Sequence, residues 1–288
     1  MRVRSFVPGH VSCIFQPIPS DDCLKAGSRG VGIRLSLGSV AEVGFRDDKE
    51  VRITIDGSER EAEVTRLVAT TMAPGRGLDI DIKNDLPMGQ GFATSASGAM
   101  ATAMCLGVLT DVSPRTACES AHSAEVRMKG GLGDVSAIVS GQDVPIRMRP
   151  GMPPHGEIQG APFSVPDLTL AVIGDTLSTA SILSDRVLSQ RISDAGGRYT
   201  DMFMEDPTPD NLFEYSYRFA EETGLVPPEM KTILDRLRAE GYGAGMCMLG
   251  CSIFTDAPAD VVREAAGDGA RVFPCSSSHA AVGVTRKE

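Results

Sequence analysis

Glycines and small hydroxyl residues are concentrated in the run LPMGQGFATSASG, residues 86–98, which leads directly into an Ala-rich segment. This composition is typical of a turn that opens a helix and brings several backbone N–H groups onto one phosphate, because no bulky side chain is in the way. A small-residue turn with no ligand is the alternative, and a glycine motif alone favours it. The run predicts a nucleotide phosphate loop, with Ser95 at the N-terminus of the helix.

Two carboxylates follow in the segment AHSAEVRMKGGLGDVSA, residues 121–137. Phosphoryl transfer from ATP requires groups that hold the phosphates, hold Mg²⁺ and deprotonate the attacking hydroxyl. Mg²⁺ prefers oxygen ligands and commonly takes one or two from protein, so Ser95, Glu125 and Asp134 are candidates for these tasks. Taken alone, Glu125 would be a solvated helix residue, and Asp134 a turn residue or a helix N-cap. The glycines around Asp134 favour a functional role over a structural one, because they leave space around its carboxylate.

Two common nucleotide motifs do not fit the glycine-rich run. No lysine follows its glycines, so the pattern GxxxxGK[ST] is absent, and the strand–helix–strand context of the dinucleotide fingerprint is not evident. A different phosphate-binding architecture is expected.

The elements around these residues follow from local patterns. Residues 30–55 predict short antiparallel strands joined by turns, residues 61–72 a short helix, and residues 77–83 a strand that precedes the loop. Ser113 as N-cap and Pro114 in the first turn predict a second helix, which places His122 and Glu125 on one side and ends at the glycine pair of residues 130–131.

The Pro- and Gly-rich stretch of residues 151–166 predicts a crossing between two domains, 1–160 and 161–288. Beyond it the patterns predict one strand, several helices, two strands, a helix and a final strand. That order is typical of a split βαβ, ferredoxin-like unit.

Composition narrows the class of protein. The 288 residues, 42% of them hydrophobic, suffice for two modest domains with their own cores. A net charge of −10 argues against nucleic acid or an anionic membrane as the main partner. Seven scattered cysteines predict reduced core residues rather than disulfides or a zinc site. With no apolar run long enough for a signal peptide or a membrane span, we expect a cytoplasmic protein.

The glycine-rich run resembles the loop P-x-x-x-G-L-G-S-S-A-A of the GHMP kinases, small-molecule kinases named for galactose, homoserine, mevalonate and phosphomevalonate. Pro87, then Gly91-Phe92-Ala93, then Thr94-Ser95-Ala96-Ser97 carry the likeness. The resemblance implies an α+β GHMP kinase fold, with an N-terminal domain of the ribosomal-protein-S5-like domain 2 type and a C-terminal ferredoxin-like domain.

Further segments narrow the resemblance to one family. HSAEVRMKGGLGDVSA is similar to A-H-x-A-E-V-x-x-x-T-G-L-G-D-V of archaeal pantoate kinases, and GSRGVGI resembles their G-S-R-G-x-G-I segment. VPGH, IRMRPGMPPHG and DTLSTASILSD are further matches. The resemblance implies phosphorylation of pantoate to 4-phosphopantoate in archaeal coenzyme A synthesis, with ATP and Mg²⁺ as cofactors.

The family pattern also implies roles for individual residues. Ser95 and Glu125 would hold Mg²⁺ and phosphate, and Asp134 would accept the proton of the substrate's primary hydroxyl. The residues implied at the ATP phosphates are Pro87, Gly89, Gly91, Phe92, Ala93, Thr94, Ser95 and Ala96. The residues implied in the substrate site are Ser28, His122, Arg147 and Thr179.

Pantoate is a small anion, so its site needs a fixed cation. Arg29 and Arg147 are the arginines nearest in sequence to the matched motifs, and arginine binds a carboxylate through two parallel hydrogen bonds. A surface ion pair is an equal alternative for either one.

Two positions in the loop bear on these assignments. Ala93 stands where the superfamily pattern has glycine, and because a left-handed conformation costs alanine about 1 kcal/mol, we predict a negative φ at this residue. Thr94 is the rival metal ligand, and Ser95 is preferred because the family pattern has an apolar residue at position 94.

Two other functions stay open at this point. The same fold would serve a kinase for another small alcohol, of the homoserine or mevalonate type, because the choice of acceptor depends on pocket contacts. A regulator that binds nucleotide without turnover is the non-catalytic alternative, which the combination of Ser95, Glu125 and Asp134 disfavours. A homodimer is the default expectation for assembly.

Overall fold

The computed structural model describes residues 1–175, 185–267, 269–279 and 282–287. Within these ranges the strands form one sheet of eight strands and another of four, and helices pack on both, which confirms the α+β class. The strands are β1 Arg2–Ile18, β2 Gly27–Arg46, β3 Val51–Ile55, β4 Ser58–Glu59, β5 Gly77–Asn84, β6 Pro145–Arg149, β7 Glu157–Gly160, β8 Leu168–Val172, β9 Ala244–Met246, β10 Ser252–Thr255, β11 Arg271–Cys275 and β12 Gly283–Lys287. The helices are α1 Glu63–Met72, α2 Thr94–Thr110, α3 Pro114–Arg127, α4 Asp134–Val139, α5 Arg186–Glu205, α6 Pro209–Thr223, α7 Pro228–Ala239 and α8 Ala259–Ala266.

A long antiparallel pair, β1 with β2, lies in the first sheet, whose order is β12-β1-β2-β5-β3-β4 with β6 and β7 joined to β2. The sequence predicts short strands after residue 30, but β2 is a single strand of 20 residues. Glycine allows close approach of the two strands here, since a Cβ at Gly38 would overlap the carbonyl of Val7 and one at Gly32 would overlap the ring of His10. These glycines therefore mark crowding between strands rather than turns.

Two irregularities interrupt the pairing of β1 with β2, one between Pro8 and His10 and one between Ser12 and Ile14. An irregularity of this kind bends a strand and re-aims the neighbouring side chains. It occurs here at the part of β1 that reaches the site described below.

The glycine-rich loop leads from β5 into α2, as predicted. α2 packs against β1, β2, α1 and α3, and small residues such as Gly98 and Ala99 let it approach them closely. The predicted start of α3 is confirmed, because the Ser113 hydroxyl accepts a hydrogen bond from the Thr116 N–H and Pro114 occupies the first turn. α3 ends at Arg127, one turn before the predicted glycine pair.

The second sheet has the strand order β11-β8-β10-β9, and its neighbouring strands are antiparallel. α5, α6 and α7 connect β8 to β9, and α8 connects β10 to β11. This is the ferredoxin-like arrangement that the sequence predicts.

One hydrophobic cluster joins the two sheets, since Val11 and Phe15 of β1 belong to the same buried group as Leu170 and Phe254. A second cluster lies between the first sheet and α1–α3. β12 returns from the predicted second domain to pair with β1. The division at residue 160 stays a prediction. No helix in the described part of the chain combines the length and the apolar character needed to cross a bilayer.

Candidate active site

A cavity of about 170 Å³ opens at the N-terminal end of α2. The glycine-rich loop, β1, β2, the turn between α3 and α4 and the turn between β9 and β10 meet there. The cavity brings together these predicted site residues: Ser28, Gly89, Gly91, Phe92, Ala93, Thr94, Ser95, Ala96, Glu125 and Asp134. The predicted site residues outside its lining, within the described chain, are Pro87, Arg29, His122 and Arg147.

The sign of the backbone angle φ alternates along the loop. Gly89, Gly91 and Ala93 have φ values of 72°, 77° and 55°. The prediction of a negative φ at Ala93 is therefore wrong. This conformation is held by contacts that the local sequence does not reveal, among them a hydrogen bond from the His10 N–H to the Phe92 carbonyl. Alternation of this kind turns successive N–H groups towards one side, which creates a concave site for an anion at the start of α2.

Ser95 and Glu125 form a close pair beside the loop. The Ser95 hydroxyl donates to Glu125 Oε1 at 2.6 Å, and the backbone N–H of Gly131 donates to the other carboxylate oxygen. Glu125 is not the solvated helix residue that it would be if taken alone, because only 1% of it is exposed. Burial raises the pKa of Glu125 to about 7, and the two hydrogen bonds oppose that rise. Thr94 is buried whereas Ser95 is exposed, which favours Ser95 as the hydroxyl available to a metal.

Asp134 opens α4 and contacts a histidine of β1, near the N-terminus of the chain. His10 Nδ1 lies 2.8 Å from Asp134 Oδ1, and His10 is fully buried while the Asp134 side chain is 21% exposed. Burial lowers the pKa of His10, which favours the neutral ring. Because a carboxylate only accepts, the ring proton must be on Nδ1, which leaves Nε2 as an acceptor towards Arg147 Nη1 at 3.4 Å.

The sequence patterns assign no role to His10, although VPGH is one of the matched segments. The available signal is a histidine within the mostly apolar run of residues 6–15 and the glycines that make room for it. A Cβ at Gly32 would overlap its ring. These observations identify a crowded polar cluster behind Asp134.

Comparison with known proteins gives matches over most of the chain. Residues 62–142 match the family model for the GHMP kinases N terminal domain. The chain is 31% identical over 264 residues to the pantoate kinase of Thermococcus kodakarensis, covering 88% of this chain and 87% of the relative. It is 32% identical over 260 residues to the pantoate kinase of Methanospirillum hungatei, covering 88% and 86%. The chain belongs to the pantoate kinase family. A solved structure named "Phosphotransferase related to CoA biosynthesis pathway" superposes with a TM-score of 0.88 at 27% identity, covering 99% of both chains.

Arg147, which the resemblance to pantoate kinases implies in the substrate site, is buried directly behind the cavity wall. Its guanidinium lies 3.4 Å from each of three polar atoms, on His10, Ser12 and Ile14, and its Nε has no partner in the described chain. A Cβ at Gly133 would overlap Ser28 Oγ and lie 2.7 Å from Arg147 Nε. A positive charge with incomplete hydrogen bonding thus lies close to Ser28.

Arg29 lies elsewhere. Its Nη2 pairs with Asp201 of α5 at 2.6 Å, and its Nε donates to the Met148 carbonyl at 3.0 Å. These contacts connect β2 to α5, outside the cavity lining. The ion-pair alternative describes these contacts of Arg29, and its role as a ligand of the substrate carboxylate stays a prediction.

His122 is buried in α3, on the side of the helix that faces the segment between β1 and β2. Its Nε2 lies 3.0 Å from the Cys23 carbonyl and 3.1 Å from the Ala26 carbonyl, so it donates to both. These bonds hold the segment that leads into Ser28. His122 does not line the cavity, and its role in the substrate site stays a prediction. Thr179 lies outside the described residues.

A second cavity, of about 240 Å³, lies on the other side of Thr94 and Ser95. Much of its wall is apolar, with Ile55 and Ile82 among the lining residues, and the half-exposed Met88 and Met128 also border it. Flexible, polarisable methionines beside an apolar wall suit a flat ring system.

Proposed function

We propose that this protein transfers the γ-phosphoryl group of ATP to the primary hydroxyl of pantoate, forming 4-phosphopantoate for coenzyme A biosynthesis. The observation that carries the proposal is the meeting of the glycine-rich loop, the Ser95–Glu125 pair and Asp134 in one cavity. Relatives named pantoate kinases over most of the chain's length support the choice of acceptor.

The loop and α2 hold the phosphates. Positive φ at Gly89, Gly91 and Ala93 favours backbone N–H groups converging on an anion, and the helix N-terminus adds its positive dipole end. The apolar second cavity next to Thr94 and Ser95 would take the base of the nucleotide.

Ser95 and Glu125 fit Mg²⁺, because a hydroxyl and a carboxylate are the oxygen donors this ion prefers and it needs few from protein. Mg²⁺ bound with ATP would neutralise charge on the phosphates. The pKa of Glu125, raised to about 7 by burial, means that this carboxylate is only partly ionised near neutral pH without a cation. A nearby positive charge would favour its ionised form.

Asp134 accepts the proton of the attacking hydroxyl. His10 occupies Oδ1 and fixes the orientation of the carboxylate, while Oδ2 has no hydrogen bond within the described residues. The hydroxyl oxygen forms a bond to phosphorus, the bond from phosphorus to the ADP oxygen breaks, and the proton passes to Asp134.

The pantoate carboxylate is recognised at the Ser28 side of the cavity. Ser28 offers a hydroxyl there, and the buried Arg147 behind it supplies a fixed positive charge. Because that charge is surrounded by protein, its attraction for a small anion is screened less than that of a surface arginine.

We further propose that the enzyme acts in the cytoplasm as a homodimer. ATP as substrate and seven unpaired cysteines support the compartment, and the frequency of two-fold assemblies supports the dimer. Light scattering of the purified protein tests the assembly.

A coupled ADP-release assay with Mg-ATP tests the function, using pantoate, pantothenate, homoserine and mevalonate with a no-acceptor control. We expect turnover only with pantoate. Turnover with another alcohol would keep the kinase mechanism and replace the acceptor. No ADP release with any acceptor would favour the regulator that binds nucleotide without turnover.

A further inference from the structure

Gln90 is a residue of the glycine-rich loop whose side chain points away from the cavity. It is only 3% exposed. Its Nε2 donates to the Gly174 carbonyl and its Oε1 accepts from the Cys251 N–H, both at 3.1 Å. Its backbone carbonyl accepts from the Ser252 hydroxyl. All three partners belong to the second sheet or to the turns beside it, so one residue connects the loop to that sheet.

The backbone of the loop packs directly against the backbone of the β9–β10 turn, residues 247–251. A Cβ at Gly250 would overlap the backbone of Gln90, and a Cβ at Gly91 would lie 3.0 Å from the carbonyl oxygens of Cys247 and Met248. The same turn contributes Met248 and Leu249 to the cavity wall. The contacts of Gln90 therefore lie at the place that sets the distance between the phosphate-binding loop and this wall.

The loop needs such support, because its conformation is strained. A non-glycine residue in the left-handed region costs about 1 kcal/mol, and strain of this kind persists only where the surroundings over-determine it. Ala93 is such a residue, with a φ of 55°. The side-chain amide of Gln90 bonds to one backbone acceptor, on Gly174, and to one backbone donor, on Cys251, beside the second sheet. These two bonds hold the loop in place.

We propose that Gln90 is a positioning residue for phosphoryl transfer, holding the phosphate-binding loop in register with the cavity wall formed by Met248 and Leu249. This inference rests on the proposed function. In-line transfer depends on alignment, and a displacement of about 1 Å far from the reacting atoms can cost about a hundredfold in rate. Gln90 therefore acts on catalysis through the loop and does not touch the substrates.

Gln90→Met tests the proposal, because it keeps the length and apolar bulk of the side chain and removes both amide hydrogen bonds. We expect kcat to fall about tenfold, with a smaller change in the KM for pantoate, and the ratio of ATP hydrolysed to phosphopantoate formed to rise. Gln190→Met is the matched control, since Gln190 lies on α5 and bonds only Asp194 within the described chain. We expect its kinetics to equal those of the wild type.

Calorimetric titration with a non-hydrolysable ATP analogue gives a readout that is independent of the acceptor. We expect weaker binding by Gln90→Met, because the loop is no longer held in its binding conformation. If wild-type protein fails to phosphorylate pantoate, the proposed function fails, whereas this difference in analogue affinity still tests Gln90.

Ser252→Ala removes the hydrogen bond to the Gln90 carbonyl and the contact of the same hydroxyl with the Cys247 thiol, and serves if Gln90→Met does not fold. It should change the same parameters in the same direction, by less. The proposal is overturned if the variant that folds lowers only the melting temperature, and leaves kcat, the coupling ratio and analogue affinity equal to those of the wild type.

Discussion

Glu125 and Asp134 reach the same cavity from the two ends of one glycine-rich turn, yet their surroundings differ. Glu125 is 1% exposed and is held by the Ser95 hydroxyl and the Gly131 N–H. The Asp134 side chain is 21% exposed, and its partner is the buried ring of His10. An enclosed carboxylate beside a hydroxyl suits a cation, whereas one with an oxygen free towards the cavity suits proton exchange. The different surroundings of these two carboxylates support the different roles proposed for them.

Asp134→Asn should give the largest effect. The amide keeps the shape of the side chain and still accepts from His10, but it does not take up a proton. We expect kcat to fall by about a thousandfold or more, with nucleotide affinity nearly unchanged. Steady-state kinetics and calorimetry measure the two quantities. Asp201→Asn, at an exposed carboxylate outside the cavity, is the control. Retention of most of the wild-type kcat would remove Asp134 as the base.

Glu125→Gln should act through the metal instead. We expect the Mg²⁺ concentration for half-maximal activity to rise about tenfold, because one charged ligand is lost, while excess Mg²⁺ restores part of the rate. Titration of activity with Mg²⁺ at fixed ATP measures this. An unchanged Mg²⁺ requirement would show that Glu125 does not ligate the ion, and the contrast between the two carboxylates would then lose its basis.

Two substitutions of His10 test whether its hydrogen bond to Asp134 matters for activity. His10→Asn places an amide N–H near the position of Nδ1, and His10→Gln places it nearer Nε2. We expect the first to keep kcat within about threefold of the wild type and the second to lose about tenfold, since a hydrogen bond to a charged group contributes about 1.5–3 kcal/mol. KM for ATP should change in neither. Equal losses in both variants would assign His10 to packing alone.

The pH dependence of stability tests the burial of Glu125 without substrate or metal. Burial raises its pKa from 4.5 to about 7 in the folded protein. Its stabilising contribution is therefore complete below pH 4.5 and is lost as the pH rises through about 7. At about 1.4 kcal/mol for each pKa unit, the loss is about 3 kcal/mol.

Urea unfolding of the wild type and of Glu125→Gln across this pH range isolates the contribution. The free energy of unfolding of the wild type should fall relative to that of the variant as the pH rises. Parallel pH curves for the two proteins would show that Glu125 titrates normally.

Local patterns predicted much of the fold. The cap at Ser113 and the strand and helix order of the second half depend on neighbouring residues, and both are confirmed. The length of β2 differs from the short strands predicted, because its glycines are positions where β1 approaches closely rather than turns. Ala93 was mispredicted because tertiary contacts offset its strain.

The site was predictable where its residues lie in motifs and not where distant residues meet. Ser95, Glu125 and Asp134 stand in recognisable segments. His10 and Asp134 are separated by 124 positions, and Gln90 and Cys251 by 161, so no local pattern links them. Arg29 and Arg147 are equally close to matched motifs, and only packing places one behind the cavity and the other in an ion pair.

The most direct test of the account is proton-coupled ³¹P NMR of the product that wild-type protein forms from Mg-ATP and pantoate. Transfer to the primary hydroxyl predicts a new phosphomonoester signal split by the two protons of one CH₂ group, and its absence with Asp134→Asn. A signal split by a single proton, or inorganic phosphate and ADP as the only new species, would contradict the account.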